Sequence, residues 1–425
     1  MPARHLIYID VSEPDFVPGA DNHRYVKLRM ESRNVPLPTV VTKAESSGGC
    51  MTEQLQAATA VQPLPDGAVL LHVGPHKTGT TAVQGALHHL RGDLRRHGVV
   101  YPGRGHQHRR PARAVTGGKA LLGERPIREQ EWERLVRETR RNSRARVVIS
   151  SECFDVATDE VAQRIADDLG RDRLHVLVTV RPLAKILPST WQEQIRYRDA
   201  TPYDDWLRET LNAADERPPS SIFWRRQHHD LIVERWARVL GADRVTVLVT
   251  DETAPDLLMR SFEQLLALPS AFLVPQAGLA NRSLTAVEAE LVRTLNARSA
   301  SRGWSGVVYR RYVLNGLLNY LQRERTPETD EPRISIPQWA ERQAADIGAA
   351  AAQDIGASGV QVIGDLRTLG CPGRVSAVGS QLQAADCAAV AADLLVGLIE
   401  LSERRPWRLD RRAARALARR LSARG

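Results

Sequence analysis

The chain has 425 residues, of which 42% are hydrophobic, so it can bury the core of one large domain with extensions or of two domains. Its net charge of +9 comes mostly from the C-terminal end, which leaves a nearly neutral body and argues against nucleic-acid binding. The sequence has no apolar run of about 18 residues, no signal-peptide pattern at its start, and four well-separated cysteines without metal-binding spacing. We therefore expect a cytoplasmic protein without a transmembrane helix.

Residues 1–66 show little periodicity of any kind. A short strand-like run at His5–Val11 is followed by proline, glycine, serine and charged residues, and Ser46–Gly49 is typical of a linker. We expect this N-terminal arm to be poorly ordered and to contribute nothing to function.

The stretch Ala68–Thr81 has the pattern of a phosphate-binding loop. Its apolar first part, Ala68–Val73, predicts a strand buried on both faces, which ends at Gly74 and Pro75. A lysine, a glycine and three threonines follow before an amphipathic helical pattern begins. The start of a helix offers unpaired backbone N–H groups and a positive dipole end, and glycine lets the backbone approach an anion closely. Strand, tight loop and helix in this order predict a phosphate cradle.

The spacing within this loop distinguishes it from the loop of nucleoside-triphosphate-binding proteins. Thr80 occupies the position of the usual lysine, and Lys77 comes two residues before the second glycine instead. The run Lys77–Thr81 resembles the 5′-phosphosulfate loop of sulfotransferases that use PAPS (3′-phosphoadenosine-5′-phosphosulfate), which typically has the sequence Pro-Lys-x-Gly-Thr-Thr. One position departs from that pattern, because His76 stands where the family usually has proline.

The resemblance implies donor-binding roles for the loop residues. Lys77 is expected to neutralise the bridging oxygen as negative charge develops there during transfer. The hydroxyls of Thr80 and Thr81, together with the loop amides around Thr78 and Gly79, are expected to hold the 5′-phosphate. This scheme requires no metal, and none is expected.

Three further β-branched runs follow, each before a helical pattern. They lie at Arg146–Ser150, Leu174–Val180 and Val245–Val249. Strands that alternate with helices predict right-handed βαβ units and a parallel sheet, in which ligands bind at the carboxyl ends of the strands. We therefore expect an α/β, P-loop-type three-layer fold, with a mainly parallel central sheet flanked by helices over residues 67–300.

Arg181 and Ser189 form a second candidate phosphate site. Arg181 follows the strand Leu174–Val180 directly, and Ser189 comes eight residues later, where we place the start of the next helix at Pro188. A guanidinium offers a planar fork for phosphate oxygens, and a serine at a helix start offers a short O–H donor. The sulfotransferases that the loop resembles bind the 3′-phosphate of PAPS with such a pair, so both residues are expected to bind the donor.

The reaction also needs a group that accepts a proton from the acceptor hydroxyl. In the cytosolic branch of the resembled family this group is a histidine at the end of the strand between the two motifs, and other branches use a glutamate. Here that strand ends in Ser151 and Glu152, so Glu152 is the first candidate. His76, which lies beside Lys77, is the second.

The C-terminal part of the chain divides into two predicted segments. Residues 301–402 are expected to form a mostly helical extension with a short strand at Val360–Ile363, and residues 403–425 a basic helical tail. Nine arginines against Glu403 and Asp410 give this tail +7 of the total charge of +9. The tail is expected to have no catalytic role and to allow at most weak peripheral contact with an anionic membrane.

The resemblance as a whole implies a sulfotransferase. Such an enzyme moves a sulfuryl group from PAPS to a hydroxyl of a carbohydrate, a glycolipid or a secondary metabolite and releases the product PAP. Two alternatives stay open: a P-loop kinase, which needs Mg²⁺ and ATP, and a non-catalytic nucleotide-binding protein, which keeps the fold without transfer. The motifs decide neither the small-molecule acceptor nor the oligomeric state.

Overall fold

The computed structural model describes residues 61–120, 124–216, 219–250, 254–275, 282–329 and 331–371, together with residues 391–392, 395–396 and 399. The predicted basic tail, residues 403–425, and the predicted arm up to residue 60 lie outside the described residues. Expectations about these two segments therefore stay predictions.

The centre of the molecule is a parallel sheet of six strands in the described part of the chain. They are β1 (Val69–Val73), β2 (Val99–Val100), β3 (Arg146–Ser151), β4 (Leu174–Val180), β5 (Val245–Val249) and β6 (Gln361–Ile363). Their spatial order is β2-β3-β1-β4-β5-β6, and every pairing is parallel. The central position of β1, between β3 and β4, brings the carboxyl ends of these three strands to one edge, where α/β sheets bind their ligands.

Helices connect the strands and continue the chain beyond β5. In chain order they are α1 (Thr80–His89), α2 (Arg91–Arg96), α3 (Arg109–Val115), α4 (Gln130–Arg141), α5 (Asp159–Leu169), α6 (Leu183–Arg196), α7 (Tyr203–Asn212), α8 (Ile222–Gln227), α9 (His229–Leu240), α10 (Leu257–Leu265), α11 (Ala286–Ser301), α12 (Gly306–Tyr309), α13 (Leu318–Arg323) and α14 (Gln338–Ala357). A π-helix, Arg310–Leu317, joins α12 to α13. The predicted α/β fold, with a parallel central sheet flanked by helices and a helical C-terminal region, is confirmed.

The sheet is buried on both faces, as the uninterrupted apolar runs predict. Alternate residues of β1 point to opposite faces. Val69 and Leu71 belong to a core built with α3, α4, α5 and α9, whereas Leu70 belongs to a core built with α1, α2 and α10. A third core joins α6, α7 and α8 to α11–α14 and includes Trp191 and Trp224. The strand β6 comes from the predicted C-terminal extension and completes the sheet.

One predicted helix has a different start in the structure: α6 begins at Leu183 instead of at Pro188. A proline inside a helix removes one backbone hydrogen bond. Burial of Ile186 and Leu187, immediately before Pro188, offsets that loss by packing this turn of α6 into the helical core. The N-cap of α11 is Thr285, which forms a capping box with Glu288.

Close packing in α14 gives a test of this architecture. A Cβ added at Gly348 would overlap the carbonyl group of Leu369, whereas a Cβ at Gly356 in the same helix would lie 3.8 Å from Leu366, an ordinary contact. We predict that Gly348→Ala lowers the free energy of unfolding by about 1–3 kcal/mol, because backbone must move to accept the methyl group. The matched substitution Gly356→Ala is expected to raise it by about 0.5–1 kcal/mol. Urea denaturation followed by circular dichroism measures both, and equal effects of the two would contradict this packing.

Candidate active site

The loop between β1 and α1 contains two residues in the left-handed region of backbone space. Lys77 has a φ of 74°, and Gly79, the N-cap of α1, has a φ of 87°. Glycine adopts this conformation freely, but for a lysine it stores strain of about 1–3 kcal/mol, which the surrounding contacts must hold. Gly74 is also required, because a Cβ there would overlap Thr80 and His72.

Three consecutive carbonyl groups of this loop accept hydrogen bonds from three different parts of the chain. Thr78 Oγ1 donates to the carbonyl of Pro75 at 2.8 Å, and Gln227 Nε2 donates to that of His76 at 3.3 Å. Arg181 Nη1 donates to the carbonyl of Lys77 at 3.0 Å. These contacts fix the strained turn from the inside of the protein.

A chain of buried side chains lies beneath the loop and ties it to the sheet. In order, its members are Gln84 of α1, Ser150 of β3, His72 of β1, Thr179 of β4, Thr78 of the loop and the carbonyl of Pro75. The successive donor–acceptor distances are 3.1, 2.8, 3.3, 2.8 and 2.8 Å. We call this the His72 chain.

The direction of every bond in the His72 chain follows from its two ends. Thr78 gives its proton to a carbonyl, so Thr179 must donate to Thr78 and accept from His72 Nε2. The other ring nitrogen, Nδ1, then accepts from the hydroxyl of Ser150. Burial lowers the pKa of His72 to about 3, which keeps the ring neutral as this arrangement requires. The hydroxyl of Thr78 is therefore engaged within the protein, and its backbone N–H also donates to the Pro75 carbonyl, at 3.3 Å.

Arg181 and Ser189, the second predicted pair, differ in their contacts with the loop. Arg181 follows β4 and contacts the Lys77 carbonyl directly. Ser189 lies inside α6 instead of at its start, and its hydroxyl donates to the carbonyl of Ile186 at 2.9 Å. The structure thus brings Arg181 against the loop, while the Ser189 hydroxyl also serves its own helix.

Lys77 and His76 each contact a carboxylate that the sequence analysis did not single out. Lys77 Nζ lies 3.0 Å from Glu193 Oε2, and both side chains are 31% exposed. His76 Nδ1 lies 3.0 Å from Asp155 Oδ2, whose side chain is fully buried. Burial disfavours the charged form of Glu193, but Lys77, His76 and Arg226 together outweigh it, so the pKa of Glu193 is lowered.

Glu193 and Asp155 were missed for different reasons. Glu193 lies four residues after Ser189, so helical spacing puts both on one face of α6, and this signal was present in the sequence. Asp155 lies just beyond the short 3₁₀ turn Glu152–Phe154. Such a short turn has no sequence periodicity from which the orientation of the Asp155 side chain could be predicted. Only the fold shows that it meets His76.

Glu152 faces a different neighbour. With the Gln107 amide oriented so that its nitrogen faces Glu152, that nitrogen donates to both carboxylate oxygens, at 3.1 and 2.5 Å. His108, which follows Gln107 in the chain, accepts a hydrogen bond from the Ser150 amide through Nδ1. Its Nε2 lies 2.9 Å from the Pro102 carbonyl oxygen. The surroundings of Glu152 therefore belong to the β2–β3 side of the sheet, whereas Lys77 contacts the helix that follows β4.

Thr80 and Thr81 differ in exposure at the start of α1. Thr80 is buried, and Thr81 is exposed. The first N–H groups of α1 have no partner within the helix, so this end of α1 can receive an anion. Behind Arg181 lies a cavity of about 100 Å³, lined also by Gln227 and His229. Gln227 Oε1 and His229 Nε2 are buried there and have no hydrogen-bond partner among the residues that the structure describes.

The described residues contain no group of three or more histidine, cysteine, aspartate or glutamate side chains placed to hold a metal ion. Within the same part of the chain, no helix combines the length and the apolar character needed to cross a bilayer.

Comparison with known proteins yields one structural neighbour. No family model matches the sequence, and no curated protein matches it. Among solved structures, the crystal structure of a sulfotransferase from Alicyclobacillus acidocaldarius is similar to this chain over 58% of this chain and 99% of that one, with 19% sequence identity and a TM-score of 0.36. The roles argued below therefore rest on the residues of this chain.

The His72 chain predicts a stability effect at its middle member. Thr179→Val keeps the shape of the side chain but leaves His72 Nε2–H without its acceptor, so we expect the free energy of unfolding to fall by about 1–3 kcal/mol. The matched control is Thr190→Val, since Thr190 donates to the carbonyl of Ile186 in its own helix at the half-exposed face of α6. Chemical denaturation at neutral pH measures both. Equal, small effects would show that the chain does not hold the loop.

Proposed function

We propose that the protein is a PAPS-dependent sulfotransferase that moves a sulfuryl group to a hydroxyl of a small-molecule acceptor and releases PAP. The observation that carries the proposal is the hydrogen bond from Arg181 Nη1 to the Lys77 carbonyl. It joins the two motifs that would hold the two ends of a nucleotide with phosphates at its 3′ and 5′ positions. The acceptor is proposed to be a carbohydrate, a glycolipid or a secondary metabolite.

The loop suits the 5′-phosphosulfate of such a donor. Its carbonyls bond to the protein, Gly79 and the first turn of α1 offer backbone N–H groups, and Thr80 and Thr81 add hydroxyls. Lys77 supplies a full positive charge, which is most useful on the oxygen that leaves sulfur with the bond's electron pair. We assign Arg181, with Ser189 as its partner, to the 3′-phosphate.

The proton acceptor has two candidates from the sequence, Glu152 and His76. Glu152 lies at the carboxyl end of β3, and the His76 ring is oriented by the buried Asp155 carboxylate. Either can take a proton from a hydroxyl if the acceptor binds beside it. The fold and the loop also fit a nucleotide-binding protein without catalytic activity, so binding and turnover are tested separately.

Selective binding of PAP tests the donor assignment. We predict that PAP raises the melting temperature of the protein more than AMP does at the same concentration, because only PAP carries the 3′-phosphate. Arg181→Ala is expected to remove charged hydrogen bonds worth about 1.5–3 kcal/mol and so to reduce the preference for PAP over AMP. Titration calorimetry gives both affinities, and Lys119→Ala, at an exposed lysine, is the control for lost charge.

Binding and turnover measurements together separate the alternatives. Equal affinity for PAP and AMP would contradict the donor assignment. Turnover of ATP that depends on Mg²⁺ would favour a kinase. PAP binding without sulfate transfer from PAPS to any hydroxyl compound would favour a non-catalytic protein.

Lys77 has a separate prediction for turnover. Lys77→Met keeps the aliphatic part of the side chain but removes the charge from the leaving oxygen, so we expect kcat to fall on the order of 10²–10³-fold. The assay follows labelled sulfate from PAPS to a panel of hydroxylated acceptors and to water. Lys119→Ala should keep wild-type turnover, and wild-type turnover in Lys77→Met would contradict the role.

A further inference from the structure

Glu193 is a carboxylate in direct contact with Lys77, the residue assigned to the leaving oxygen. Its carboxylate lies 3.0 Å from Lys77 Nζ, and the two side chains share the same degree of exposure, 31%. Both can therefore be reached from solvent at one opening. The carboxylate of Glu152, by contrast, receives the Gln107 amide.

The order of the strands explains this arrangement. β3 and β4 lie on opposite sides of β1, so residues that follow them approach the loop from opposite sides. Glu152 follows β3, whereas Arg181 and Glu193 follow β4. The loop's contacts through Arg181 and through the Lys77 ammonium both go to the β4 side.

From this geometry we propose that Glu193 is the residue that accepts the proton of the acceptor hydroxyl. The inference rests on the proposed function. In the step, the hydroxyl oxygen forms a bond to sulfur while its proton passes to the Glu193 carboxylate. The bond between sulfur and the 5′-phosphate oxygen breaks, and its electron pair stays on that oxygen, next to Lys77. Products are the sulfated acceptor and PAP, and protonated Glu193 then returns its proton to water.

Reach supports this assignment. In a reactive arrangement the attacking oxygen lies about 3–3.5 Å from the atom it attacks. The Glu193 carboxylate, in contact with Lys77, lies beside the space that the sulfuryl group and the incoming hydroxyl would share.

Charge supports it as well. The groups that face Glu193 from neighbouring elements are Lys77 and His76 of the loop and Arg226 of α8, with Asp155 beside His76 and Arg226. Before the donor binds, these cations keep the Glu193 carboxylate ionised and ready to accept a proton. When Lys77 turns to the donor's oxygen, Glu193 loses part of that stabilisation and becomes a stronger base.

The decisive variants are Glu193→Gln and Glu152→Gln, assayed across pH with labelled PAPS, a panel of hydroxyl compounds and water as acceptors. We expect Glu193→Gln to lower kcat on the order of 10²–10⁴-fold with PAP affinity close to wild type. The wild-type rate should fall as the pH drops and Glu193 becomes protonated, and this acid limb should be absent in Glu193→Gln. Glu133→Gln is the matched control, since Glu133 forms an exposed ion pair with Arg137 on α4.

A rescue experiment separates proton transfer from mere positioning of Lys77. In Glu193→Ala, added formate should restore part of the turnover, because a small carboxylate can enter the space left by the side chain. A fall in turnover without formate rescue and with the acid limb intact would overturn the inference. Wild-type kcat in Glu193→Gln, or a loss of the acid limb in Glu152→Gln instead, would overturn it too.

Failure of the proposed function is recognised independently. If the wild-type protein binds PAP no better than AMP, the donor assignment is wrong, and the inference falls with it. If PAP binds selectively and Glu193→Gln turns over normally, only the role of Glu193 is wrong.

Discussion

The candidate site depends on one buried imidazole that must stay neutral. His72 lies fully buried in the central strand β1. It accepts a hydrogen bond on its α1 side and donates one on its loop side, so all bonds of the His72 chain donate in the same direction, from α1 toward the loop. A protonated ring could not accept from Ser150, and a charge at this depth would be strongly disfavoured. Because each hydroxyl in the chain donates once and accepts once, the position of one member fixes the next. The geometry of the loop is thus set from beneath, before any ligand binds.

The strain at Lys77 has its explanation in these contacts. A lysine adopts a positive φ at a cost, which is offset here because the carbonyls of Pro75, His76 and Lys77 accept hydrogen bonds from Thr78, Gln227 and Arg181. These bonds turn the three carbonyls toward the protein. Preorganisation of this kind avoids rearrangement during a reaction, which is why it is effective where charge develops.

The charges around the loop come in close pairs of opposite sign. Lys77 contacts Glu193, and His76 contacts Asp155. Such partners stabilise the loop, because isolated like charges at short range would repel one another in a partly buried site. Under the proposed function, the Glu193 carboxylate that stabilises Lys77 in the resting site also takes part in the reaction.

The sequence by itself determined the architecture and identified both the loop and the arginine that contacts it. Apolar β-branched runs predicted β1, β3, β4 and β5 within a residue, since burial on both faces leaves no polar alternation to confuse the pattern. The lysine–glycine–threonine loop and Arg181 were visible as local motifs. Only the tertiary structure decided which carboxylate meets Lys77. The order of the strands separates Glu152 from Glu193 across β1, and no local pattern records on which side of a neighbour a strand will lie.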